Sequence, residues 1–186
     1  MGETSKEILE KIPIEKCWLF TAQILTGFLV MRGSKNLPSI LGKEDGFFSP
    51  VRGWEKHVEV TPRIYGEIAR KFFPWVKETF NIRVEDATGA AILHIVATQF
   101  LQGPENKSEI VKASKEKAKI KVAECAWKER FNEHKVPLAF RICYPAHNSW
   151  AEEGLKAVNP KTTFKLEKSM GKGDPYCEVI IEFENE

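Results

Sequence analysis

Three cysteines and one histidine in the second half of the chain carry the residue types most able to do chemistry. They sit in ECAWKER (124–130), RICYPAHNSW (141–150) and GDPYCEVIIEF (173–183), as Cys125, Cys143, His147 and Cys177. Thiolate and imidazole suit a tetrahedral Zn²⁺, where three ligands plus water make a catalyst and four make a staple. Only Cys143 and His147 are close in sequence, at C-x₃-H spacing, so the set exists only if the fold assembles it. Zinc held there could lower the pKa of a bound water and supply hydroxide at neutral pH. Without metal, one thiol could act as nucleophile with His147 as base, which makes Cys143, His147 and Cys177 the candidate catalytic residues. The competing reading is packing, because free cysteine is among the most buried residue types. Cys17, flanked by Trp18, Leu19 and Phe20, reads as core in that sense.

The elements that must position these residues change period midway. CWLFTAQILTGFLVM lies within an apolar helix over 14–31, and the Gly-, Pro- and Ser-rich stretch 33–53 reads as loop. Thr61-Pro62 has the form of an N-cap and first-turn proline, opening a helix to about Phe80 with a kink at Pro74. Asp86 caps a further helix, apolar on nearly every side, that ends at Gln102-Gly103-Pro104. KAKIKVAEC (117–125) alternates as a strand, 127–134 reads as a short helix and AFRICY (139–144) as another strand. A helix over 147–158, capped by Asn148 or Ser149, stops at Asn159-Pro160. TFKLEKSM and YCEVIIEF then pair through Gly171–Pro175, with Cys177, Val179, Ile181 and Phe183 on one face and Glu178 and Glu182 on the other. The expectation is a single α+β domain over 1–186: N-terminal helices packed on a small antiparallel sheet, closed by a C-terminal β-hairpin. Residues 1–104 form its mostly helical part, and 105–186 the α+β part that carries the chemistry.

Bulk properties narrow the function classes. The chain has 186 residues, 42% hydrophobic and 29% charged, with a net charge of +2. That is an ordinary globular balance, with no strong field to attract nucleic acid or membrane. The longest apolar stretch is too short to span a bilayer, and the mixed charges before it do not resemble a signal peptide. A cytoplasmic location is expected, so the four cysteines imply thiols, metal or catalysis before disulfides. The lysine-rich 107–121 lacks arginine and aromatics and reads as a solvated or edge-protecting face. No P-loop, GxGxxG, HExxH, GxSxG or kinase pattern is present.

The order ECAWKER, RICYPAHNSWAEEGLKAVNPK, KSMGKGDPYCE resembles the L-2-amino-thiazoline-4-carboxylic acid hydrolase family over roughly the last third of the chain. It also resembles, more distantly, the 4-vinyl-reductase-type small-molecule-binding domains, which share a closing Gly-Asp-x-x-Cys strand. The family commonly has Cys-Pro-Trp where this chain has Cys125-Ala126-Trp127, and often a second cysteine near the position of His147. The resemblance implies a hydrolase that opens a cyclic amidine by adding water at a C=N carbon of a small carboxylic acid. A basic amidine calls for an anion, for which Glu129 and Asp174 are candidates, with Glu124 and Glu178 nearby. The substrate carboxylate calls for Arg130 or Arg141, whose planar guanidinium pairs bidentately. Asp174 can equally shape its turn, and Glu129 and Arg130 can be plain surface charges.

The alternative is a non-catalytic small-molecule-binding or sensor domain, with Cys125, Cys143, His147 and Cys177 holding structural zinc or simply packing. A protein-interaction module is a third reading. His94, in AAILHIVA, reads as a core histidine satisfied locally, with axial haem ligation as its functional alternative. His57 and His134 indicate nothing specific. Trp54, Phe72, Phe73, Trp75, Phe100 and Trp127 can line an apolar pocket, although aromatics at helical spacing are more often core. The expected partner is a small-molecule ligand or substrate, neither nucleic acid nor membrane, and a homodimer is an allowed assembly.

Overall fold

The computed structural model describes residues 4–10, 50–103, 105–133 and 143–184, with backbone alone for Ser5, Ile8, Leu9, 50–60, Arg130, Phe131 and Cys143. The helix expected over 14–31 lies outside the described residues. A short helix α1 (Ser5–Glu10) is opened by Thr4 and Glu7, which cap each other reciprocally. Helix α2 (Pro50–Thr79) starts eleven residues before the expected Thr61-Pro62 and runs through both Pro62 and Pro74. Residues 50–53, expected as loop, are therefore helical. An interior proline costs about 3 kcal/mol, which the packing of a long helix can absorb. Tyr65, Ala69, Phe72, Phe73 and Val76 recur at helical spacing and are all buried.

Helix α3 (Ala87–Gln102) begins as expected: the Asp86 carboxylate accepts the Gly89 N–H at 2.8 Å. It ends at Gly103, whose φ of 89° is open to glycine and whose N–H donates to the Gln99 carbonyl. Almost every residue of α3 is buried, as its apolar sequence demands.

Strands β1 (Lys107–Ala113), β2 (Lys117–Glu124), β3 (Thr162–Lys168) and β4 (Cys177–Phe183) form one antiparallel sheet in the order β1-β2-β4-β3. The fold is α+β, and β3 and β4 make the expected C-terminal hairpin. Strand β1 was not anticipated. It is an edge strand with two register shifts and mostly exposed side chains, so little apolar alternation marks it. Ala118, Ile120, Val122, Val179 and Ile181 form the inner face, covered by α3. The outer face is a ladder of Lys117–Glu182 and Lys119–Glu178 pairs. Ile180 stands among these charges yet is only 7% exposed, beside Lys119 and Lys165 in register. Long lysine stems shield such a residue while their ammonium groups stay in water.

Between the hairpin of β1 and β2 and that of β3 and β4 lie α4 (Ala126–Glu133) and α5 (Cys143–Val158). The expected strand over 139–144 is corrected here: Cys143 and Tyr144 are helical, and 139–142 lie outside the described residues. Asn148 and Ser149 are accordingly inside α5, not at its cap. Pro145 sits in the first turn, where a missing N–H costs nothing, and that signal outweighs the apolar run before it. Helix α5 packs along α2 and against β3, and the fully buried Trp150 joins it to Phe72 and Phe73.

Candidate functional site

The inner end of the sheet, where β2 finishes and β4 starts, gathers three sulfur-bearing side chains. Val122 pairs with Cys177 across the two strands, and Cys125 follows three residues after Val122. The turn before β4 supplies the third. There the Asp174 carboxylate accepts the Ser169 N–H at 2.7 Å, and the Ser169 hydroxyl accepts the Gly171 N–H at 3.2 Å. Gly173, at φ 103°, lets the chain reverse. These bonds hold Met170 inward, buried with Val122 and Cys125 and packed by Trp127 and Cys177. The Met170 N–H donates to Cys177 Sγ at 3.3 Å.

A cavity of ≈ 20 Å³ lies against these sulfurs. Gln102 from the end of α3, His147 from α5, Ser169 from the turn, Lys128 of α4 and the apolar Val122 and Leu166 line it as well. Behind it, His147 stacks on His94 with centroids 5.2 Å apart and planes 27° from parallel. Phe164 of β3 touches both rings, at 5.3 Å from His94 and 5.7 Å from His147. Both histidines are buried, and His94 Nδ1, His147 Nε2 and Thr98 Oγ1 have no hydrogen-bond partner. Buried polar atoms are almost always satisfied, so the unpaired Nε2 of a histidine that lines a cavity points to something that pairs with it there.

Burial keeps the imidazoles and thiols of the site uncharged. Burial pushes His147 down to about 4. Burial, reinforced by the neighbouring His147, holds His94 well below the usual imidazole value. Burial pushes the Cys125 and Cys177 thiols up, against the backbone N–H groups that favour their thiolates. At neutral pH the cavity therefore meets two thiols and the uncharged imidazole of His147, with the uncharged His94 stacked on that ring.

Of the residues singled out from sequence, Cys125, His147 and Cys177 meet at this one cavity. Cys143 opens α5 one turn before His147, but its side chain lies outside the described residues, as do the Arg130 side chain and Arg141. Glu129 is exposed on α4, and the Asp174 carboxylate is engaged in its turn. Among the described residues, no group of three or more His, Cys, Asp or Glu side chains is arranged to hold a metal ion. His94 differs from its reading as a satisfied core histidine, since one nitrogen is unpaired. Sequence reasoning missed Gln102, Lys128, Ser169 and Met170. A usable signal was present: His94, Thr98 and Gln102 recur every fourth residue, a polar stripe on an otherwise apolar helix. Phe72, Phe73 and Phe100 are core, while Trp127 packs beside the sulfurs.

No family model matches the chain, and no curated protein matches it. Among solved structures, it is similar to the phenol-responsive sensory domain of the transcription activator PoxR, determined with phenol. The TM-score is 0.50 at 8% identity, over 74% of this chain and 69% of that one. The likeness is one of fold. Among the described residues, no helix is long and apolar enough to cross a membrane.

Proposed function

We propose that the chain is a small-molecule-binding domain of sensory type, holding a small, mostly apolar ligand with one hydrogen-bonding group against His147. The observation that carries this reading is the unpaired, buried Nε2 of His147, whose side chain lines the cavity. Because that imidazole is uncharged and the thiols are protonated, the interior favours a neutral ligand over an ion pair. The fold likeness to a phenol-responsive domain supports a small aromatic alcohol or phenol as the ligand class. The same protonated thiols weigh against a cysteine nucleophile, because the thiolate is the reactive form. The amidine-hydrolase reading rests on the sequence resemblance alone.

Size sets the affinity. The cavity of ≈ 20 Å³ has room for about one water, whereas an apolar cavity of about 150 Å³ accepts benzene. Widening it by that difference, at about 24 cal/mol per Å³, costs roughly 3 kcal/mol, or about 200-fold in affinity. Met170, unbranched and deformable, is the lining residue best able to yield. Binding in the micromolar-to-millimolar range is therefore expected.

Calorimetric titration with phenol, benzyl alcohol and toluene tests the proposal on wild type and His147→Phe. Saturable phenol binding, weakened about tenfold or more in the variant while toluene binding is retained, is expected. Absence of binding by all three compounds, or phenol affinity indifferent to His147, would overturn it. Ring opening of 2-aminothiazoline-4-carboxylate that disappears in Cys177→Ala would replace it with the hydrolase reading.

A further inference from the structure

We propose that the outer side of the turn between β3 and β4 is a docking surface for an acidic peptide segment of a partner protein, held by Lys121, Lys168 and Lys172 around two tyrosine rings. Lys168 closes β3 and Lys172 lies in the turn, while Lys121 of β2 flanks Glu178 in register from the other side of β4. The Lys168 ammonium donates to the Tyr176 hydroxyl at 2.6 Å and stands 4.6 Å from the centre of that ring, with Lys121 at 5.3 Å. Lys172 stands 3.4 Å over the ring of Tyr144, at the start of α5. Elsewhere on the outer face of the sheet the lysines are matched, Lys117 to Glu182, Lys119 to Glu178 and Lys165 to Glu167. The two carboxylates next to the turn are engaged: Glu178 by Lys119, and Asp174 by the Ser169 N–H. Among the described residues, Lys121, Lys168 and Lys172 form no ion pair with a carboxylate.

A tyrosine face holds an ammonium in place without neutralising it, so three positive charges stay available to a partner. Carboxylates supply the complementary charge, and the two rings offer apolar surface to the side chains between them. Lysine meets a carboxylate as a point charge, whereas the fork that grips phosphate bidentately belongs to arginine, and the three cations here are all lysine. Glu167, Glu178 and Glu182 lie on the same face and repel a continuous phosphate backbone, and a net charge of +2 gives no long-range field to draw one in. A short acidic segment therefore fits better than a nucleic acid. The inner side of the same turn carries Met170 into the cavity wall, so the surface sits where a change at the interior ligand reaches the exterior. That consequence rests on the ligand reading, whereas the docking does not.

The test is fluorescence anisotropy of a short labelled peptide of alternating glutamate and leucine, titrated with the full chain in the absence of phenol. Its outcome is thus separate from that of the interior ligand. Saturable binding in the micromolar-to-millimolar range is expected, weakening as ionic strength rises from about 0.05 M to about 0.5 M. Lys121→Gln/Lys168→Gln/Lys172→Gln should weaken it about tenfold or more, the sum of three exposed charge pairs. Lys71→Gln/Lys112→Gln/Lys115→Gln removes the same charge from exposed positions elsewhere and should bind within about twofold of wild type. Circular dichroism confirms that both variants are folded. Absence of saturable binding, or binding that survives in the first variant, would overturn the proposal. An equal loss in the second variant, or tighter binding of a lysine-leucine peptide or of single-stranded polyuridine, would overturn it as well.

Discussion

Acidification from pH 7.5 to 5 should destabilise the fold through its two buried imidazoles. In the unfolded chain a histidine takes its proton near 6.5, whereas His147 in the folded chain does so only at about 4. Between those values the unfolded state is protonated and the folded state is not. The stability is thus fully present above pH 6.5 and is lost as pH falls towards 4. Linkage puts the loss from His147 at about 2 kcal/mol by pH 5 and roughly 3 kcal/mol below pH 4. His94 is held down by burial and by His147, so it adds in the same direction. Urea unfolding followed by tryptophan fluorescence reads this directly. At a slope of about 2 kcal/mol per molar urea, the midpoint should drop by about 1 M or more. Few carboxylates titrate above pH 5, which keeps the window largely specific to imidazole. A His94→Gln/His147→Gln double variant retains His57 and His134 as background and should lose much less over the same range. A wild-type midpoint that stays level from pH 7.5 to 5, or a double variant that falls as steeply, would refute the burial argument.

Three further outcomes test the frame that holds the site. At Gly154 of α5, an added Cβ would clash with the ring of the fully buried Phe73. Gly154→Ala should therefore cost about 1–3 kcal/mol by overpacking the contact between α2 and α5, seen as a lowered Tm. Asp86→Ala removes the acceptor of the Gly89 N–H at the start of α3 and should cost about 1 kcal/mol in urea unfolding. Glu182→Ala, on the exposed charge ladder, should cost less than about 1 kcal/mol.

The legible parts of the sequence were those where one physical constraint acted alone. Strands β2 and β4 bury one face and expose the other, so Ile120, Val122, Val179 and Ile181 alternate with lysine and glutamate and declare both strand and facing. Asp86 and Gly103 mark the ends of α3 because orphan backbone groups need partners. Where two constraints competed, the reading went astray. Pro62 is a favoured first-turn residue but also survives inside a long helix, and Cys143-Tyr144 has strand-like neighbours before a helix-starting proline. β1 carries too few apolar side chains to register at all. Convergence of Cys125, His147 and Cys177 was guessed from residue type, yet nothing local in sequence could establish it. Their meeting depends on the pairing of Val122 with Cys177 and on α5 packing against β3 and the turn that follows it. The stacking of His94 on His147 depends on the same packing between elements.

The interior ligand site can be tested at one atom. The chain has three methionines, and Met170, the one among the described residues, lies in the cavity wall. With methyl-¹³C methionine, a phenol titration should move the Met170 resonance saturably through the ring current of a neighbouring aromatic, and His147→Phe should weaken that response. A Met170 methyl that stays put while phenol is raised through the millimolar range would contradict binding in this pocket.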